Sequence, residues 1–176
     1  MNLKIPLLTG ILLLLLGCSN ADEERQEGTG NYFDLKGFFA KEVTRLSAED
    51  PAVTKTVRIN GDTETKRLKI TDWHQELSAF ADADINKASW KGAFSLHHQQ
   101  GKQIYLSDNE KVNVKKLTIM QKQGKIYGVE ILLKTTNMLY TSTDTLRYYP
   151  DSLYRISRSQ NIRLFNPKQY SITAKF

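Results

Sequence analysis

The sequence predicts an α+β fold: a single curved antiparallel β-sheet of about seven to nine strands, packed with two α-helices from the N-terminal half. Three observations lead there. Apolar residues recur at three- and four-residue steps in two stretches before residue 90. From Phe94 onward the apolar period changes to two. Short turn signals then separate each apolar run from the next, so sequential strands should pair as an antiparallel meander.

The first helix is expected over Tyr32 to Ala48, where Leu35, Phe38, Phe39, Val43 and Leu46 form one stripe. Pro51 stops it. Val53, Val57 and Ile59 then alternate with polar residues. Asn60-Gly61-Asp62 is a hairpin signal, because asparagine and glycine accept the positive φ of a tight turn. The returning arm, Thr63 to Ile70, starts polar on both faces, so its tip should project into water. Asp72 caps a second helix that carries Trp73, Leu77, Phe80, Ala81 and Ile85 as its stripe and ends near Asn86.

Strands are expected at Ala93–Gln100, Gln103–Ser107, Val112–Gln121, Lys125–Thr135, Met138–Tyr148, Leu153–Ser159 and Gln169–Phe176, with Ile162–Phe165 a further short candidate. Apolar parity slips between Val112/Val114 and Leu117/Ile119, and a bulge at Lys115-Lys116 would restore it. In the final strand Tyr170, Ile172, Ala174 and Phe176 share one face. The helices should cover the inner face of this sheet.

The N-terminus reads differently. Lys4 precedes an apolar run from Leu7 to Leu16, broken only by Thr9 and Gly10, and Leu15-Leu16-Gly17-Cys18 follows at once. The run is short for a membrane span and suits the core of a secretory signal. A plain secretory peptide and an uncleaved anchor are other readings of the run. Leu-Leu-Gly-Cys resembles the lipobox of bacterial lipoproteins. That resemblance implies cleavage between Gly17 and Cys18, and an acylated Cys18 that holds the chain on a membrane. The order of helices and strands also resembles the periplasmic lipoprotein carriers and receptors, which are half-open barrels lidded by helices. A third resemblance, to small lipoproteins of Gram-negative bacteria, implies no activity.

Three segments follow: residues 1–17 as signal peptide, 18–31 as an acidic linker, and 32–176 as one domain. Removing 1–17 from 176 leaves 159 residues, enough for a real core. Asp22-Glu23-Glu24 resembles the acidic signal that sends some lipoproteins to the cell surface. The expected location is thus the outer membrane, facing either periplasm or exterior. Cys18 is the only cysteine, so its acylation would leave no thiol for a disulfide, a nucleophile or a metal site.

Formal charge is +6, with Lys and Arg dispersed along the chain rather than clustered on one element, which argues against a nucleic-acid partner. His74, His97 and His98 have no metal-ligand spacing, and His97 and His98 point to opposite strand faces. Asp82 and Asp84 are two apart and do not face each other on a helix. No serine sits in a nucleophile elbow. No cofactor motif occurs. The expectation is a non-catalytic module, anchored through Cys18, that binds a hydrophobic, glycan or protein ligand. Tyr127, Tyr140, Tyr148, Tyr149 and Tyr154 are its candidate lining residues. A subunit docking by a sheet edge or the tip at Asn60–Thr65 is the second reading. An envelope hydrolase built on His97 or His98 is the third.

Overall fold

A computed structural model describes residues 25–27 and 32–176. Gly17, Cys18, Asp22, Glu23 and Glu24 lie outside the described residues, so the cleavage, lipidation and sorting expectations fall outside them as well. Within the expected linker, Arg25–Glu27 forms a short strand, β1. It is polar, and backbone pairing to an open sheet edge requires no apolar side chain.

Helix α1 spans Leu35–Glu49. It begins at the first residue of its apolar stripe, three residues after the expected start at Tyr32, because the Asp34 side chain caps it, accepting from the Gly37 amide at 2.8 Å. Asp50 ends it in the left-handed conformation, with φ 43°, and its amide donates to the Leu46 carbonyl. The hairpin follows as β2 (Ala52–Ile59) and β3 (Asp62–Lys69). Its turn places Asn60 at φ 50° and Gly61 at φ 107°, the backbone that these two residues tolerate best.

The expected second helix is divided. Trp73–Glu76 is α2 and Ser78–Ala81 is α3, with Leu77 between them at φ −97°, ψ 5°. The Ser78 hydroxyl donates to the Gln75 carbonyl at 2.8 Å, the local bonding by which serine competes with a helical ladder. Trp73, Leu77, Phe80 and Ile85 are nevertheless all buried, while Ala81 is only half-buried. A single 3₁₀ turn, Ala88–Trp90, leads into the meander. Its strands are β4 (Ser95–Gln99), β5 (Lys102–Leu106), β6 (Val114–Lys122), β7 (Lys125–Thr136), β8 (Tyr140–Tyr149), β9 (Leu153–Ile162) and β10 (Lys168–Lys175). Ile162 closes β9 instead of opening a strand of its own.

All strands join one open antiparallel sheet of ten strands, in the order β1-β4-β5-β6-β7-β8-β9-β10-β2-β3. β1, a strand of only three residues, accounts for the excess over the expected number. The sheet with few helices makes the fold α+β in the coarse sense, mostly β by content. The meander runs as expected, and the β6–β7 register shifts between Val114 and Lys116, leaving Lys115 as the extra residue. The early hairpin is the surprise: β2 pairs with β10, Ile59 opposite Tyr170 and Thr54 opposite Lys175.

One face of the sheet carries the core. Val53, Leu117, Ile119, Val129, Ile131, Leu146, Tyr148, Tyr154 and Ala174 lie there, and Leu35, Phe39, Leu46, Leu77 and Phe80 close over them from the helices. Phe39 is the hub of an aromatic cluster, with ring centres 5.1 Å from Phe38, 5.1 Å from Phe80 and 5.2 Å from Tyr148. Asn86 pins the entry to α1: its side chain accepts from the Tyr32 amide at 3.0 Å and donates to the Phe33 carbonyl at 2.9 Å.

Candidate functional site

The other face of the sheet has no helix over it, and strand parity decides what it shows. Side chains alternate along each strand, so residues two apart share a face. On β8 the core side takes Leu146 and Tyr148, leaving Thr141, Thr143 and Thr145 on the open side. The register carries this assignment across the neighbours. Thr145 lies opposite Ser157, and Ser157 opposite Ser171. Ser171 lies opposite Arg58, and Arg58 opposite Thr63. One rung along the strands, Arg147 faces Arg155, Arg155 faces Thr173, Thr173 faces Thr56 and Thr56 faces Thr65.

The five adjacent strands β8, β9, β10, β2 and β3 thus each present hydroxyls at i and i+2 on the same face. Threonine there is favourable for strand formation. The hydroxyls also bond across strands: Thr56 to Thr65 at 2.9 Å, Arg58 Nε to Thr63 at 3.2 Å, and Arg155 Nε to Thr173 at 3.0 Å.

Small side chains in the middle of this array leave a groove of about 350 Å³. Its floor is Thr143, Thr145, Ser157, Ser159 and Ser171, and its walls include Arg58 and Gln169. Asn60 closes one end: its side chain accepts from the Gln169 amide at 2.9 Å, and its own amide donates to the Gln169 carbonyl at 2.9 Å. Tyr170 borders the groove but belongs by parity to the core face. Among the described residues neither Arg58 nor Arg155 forms a salt bridge. Glu130, on the same face, is paired with Arg147. Cations that are scattered in the sequence therefore collect on one surface, and the signal that would have found them is strand parity combined with the register of β2 against β10.

The candidate tyrosines do not form one set. Tyr148 and Tyr154 are fully buried under the helices and packed against protein. Their hydroxyls donate to Glu42 and Glu76, which also hold Arg45 and Lys55 at 2.8 Å and 2.7 Å. Burial first, and then the adjacent carboxylate, raises both phenols well above the ordinary tyrosine range. Tyr149 repeats the pattern on the open face: it donates to Glu130 at 2.6 Å, beside Arg147, and is pushed up to about 12, mainly by burial. Its ring lies across Gly128, where an added Cβ would meet it at 3.0 Å. Tyr140 is half-buried, and Tyr127 is exposed at the far end of β7. Three of the five tyrosines therefore serve as hydrogen-bonded anchors within the fold.

The remaining chemical candidates are apart. His97 stands beside Ser95 at 3.2 Å on β4, at a hollow shared with Lys115 and Lys134. His98 lies near the β4–β5 turn, and His74 is exposed on α2. Asp84 accepts from the Asn86 amide, while Asp82 points to solvent. Asp144 grips Arg158 and Asp151 meets Arg45. Among the described residues no three His, Cys, Asp or Glu side chains converge as metal ligands. No helix among them is long and apolar enough to cross a membrane.

The groove can hydrogen-bond in both directions through hydroxyls and amides, and it can pair an anion through guanidinium forks. No protein-family model, curated protein or solved structure matches this chain.

Proposed function

We propose that this chain is a lipid-anchored, non-catalytic binding module of the bacterial envelope, and that the groove on the open sheet face takes an acidic glycan. The observation that carries the reading is the hydroxyl floor of Thr143, Thr145, Ser157 and Ser171 beside the Arg58 guanidinium, which forms no salt bridge among the described residues. Sugar hydroxyls both donate and accept, as do serine and threonine. A uronate or phosphate on the glycan would meet the Arg58 fork bidentately. An acyl chain would find no apolar floor there. Single-stranded nucleic acid would need aromatic faces for stacking, and the floor has none.

The test is titration calorimetry with a hexuronic-acid oligosaccharide against its neutral counterpart. The acidic ligand should bind, and Arg58→Glu should weaken it by roughly tenfold or more, the scale of one charge-assisted pair lost. Equal binding of the neutral sugar, or an unaffected Arg58→Glu, would remove the basis of the proposal.

Anchoring is tested separately. Acylation of Cys18 would add about 0.8 kcal/mol per buried methylene, so that several chains hold firmly where one does not. Cys18→Ser should move the protein from the membrane to the soluble fraction of its host. Protease shaving of intact cells then distinguishes the exterior from the periplasm: cleavage before lysis is the outcome if Asp22, Glu23 and Glu24 act as a surface signal, and protection until lysis places the chain in the periplasm.

A further inference from the structure

The most exposed large apolar side chains among the described residues sit on two neighbouring hairpin tips. Met138 and Leu139 lie between β7 and β8, 87% and 71% exposed, and Leu164 and Phe165 between β9 and β10, 95% and 71% exposed. Strand direction puts both tips at the same end of the sheet as the Asn60-Gly61 turn. The Arg163 amide donates to the Leu139 carbonyl at 2.9 Å, so the two tips form one prong. Leu164 has φ 70°, a left-handed backbone that glycine or asparagine would adopt at lower cost. A bulky apolar residue held strained and outward is an arrangement that neither the core nor water rewards.

Basic residues flank the prong: Arg163 opens the β9–β10 turn, and Lys168 begins β10 just after it. The two tips that form the prong carry no acid; Asp62 lies on the Asn60-Gly61 turn, and Asp108 and Glu110 lie on the β5–β6 loop at the same end.

We propose that this prong docks the domain on the anionic surface of a lipid bilayer. Met138, Leu139, Leu164 and Phe165 enter the boundary between headgroups and acyl chains, while Arg163 and Lys168 pair with headgroup phosphates. Two features select a bilayer over a protein partner. The apolar groups stand on convex tips, which a deformable medium accepts and a rigid surface must hollow out to receive. Four side chains also fall short of the roughly 800 Å² per partner that a stable protein interface buries. The proposal concerns the end of the sheet and not the groove on its face, and it holds whether or not Cys18 is acylated.

The test is Phe165→Trp in the full-length chain, mixed with vesicles of phosphatidylethanolamine and phosphatidylglycerol whose acyl chains are brominated near the carbonyl. The unsubstituted chain subtracts Trp73 and Trp90. The added tryptophan should shift to the blue and lose roughly half its emission, as expected for a ring seated at the interface. Lys125→Trp, at the opposite end of the sheet, should be unaffected. An unquenched residue 165, or equal quenching at residue 125, would overturn the proposal. A blue shift at 165 without vesicles would also overturn it, because the prong would then be meeting protein.

Discussion

Phe39→Ala is expected to destabilise the fold by about 3–5 kcal/mol, the range for deleting a buried phenylalanine. Phe39 has no solvent exposure and touches the rings of Phe38, Phe80 and Tyr148, so it joins α1, α3 and the sheet at one point. The hole left behind cannot close by local movement, because its walls belong to three elements of different sequence origin. Against a typical net stability of about 5–15 kcal/mol, a large share of the fold would be lost. The neighbouring Phe38 is only partly buried, and Phe38→Ala should cost markedly less. Urea unfolding read by near-ultraviolet circular dichroism measures both. A loss below about 1 kcal/mol for Phe39→Ala would mean that the helices do not pack on the sheet as described.

Alkaline pH is the second strong perturbation. Tyr148 and Tyr154 have phenol pKa values raised in the folded state, by burial first and by the Glu42 and Glu76 carboxylates next. In the unfolded chain both titrate near the ordinary value of 10.0. A group that binds its proton more tightly when folded stabilises the fold fully below the unfolded pKa. That contribution is lost as pH rises above it toward the folded value. Stability should therefore be unaffected by these two groups up to about pH 9, then fall above pH 10 by about 1.4 kcal/mol per pH unit for each tyrosine. Replacing both with phenylalanine should flatten the alkaline slope. The cost at neutral pH should be about 1 kcal/mol for each lost hydrogen bond, since Glu42 and Glu76 keep Arg45 and Lys55. Urea midpoints from pH 8 to pH 12 decide the matter, and a slope unchanged by the double substitution would contradict this account.

Local pattern carried much of the architecture. The period-two runs predict the meander, and the parity slip around Lys115 locates its bulge, because both follow from alternation along one strand. The stripe through Trp73, Leu77, Phe80 and Ile85 is a true inward face, yet it does not reveal that Ser78 breaks the helix between α2 and α3. Periodicity reports burial more directly than it reports continuity. The candidate tyrosines divide for a related reason: a tyrosine at an apolar position reads the same whether it borders a pocket or, as Tyr148 and Tyr154 are, is held in a core by a glutamate. The groove was invisible for a different one. Arg58 and Ser171 are far apart in the chain, and only the pairing of β2 with β10 makes them neighbours. No short-range signal specifies that pairing.

That same pairing has a temporal consequence. The β2–β3 hairpin finds its neighbour in the sheet, β10, only across more than a hundred residues of chain. Native contacts of such long separation slow folding, because the intervening loop must close before any of them is rewarded. The β2–β10 seam should therefore form late in refolding, after the locally connected meander of β4 to β9.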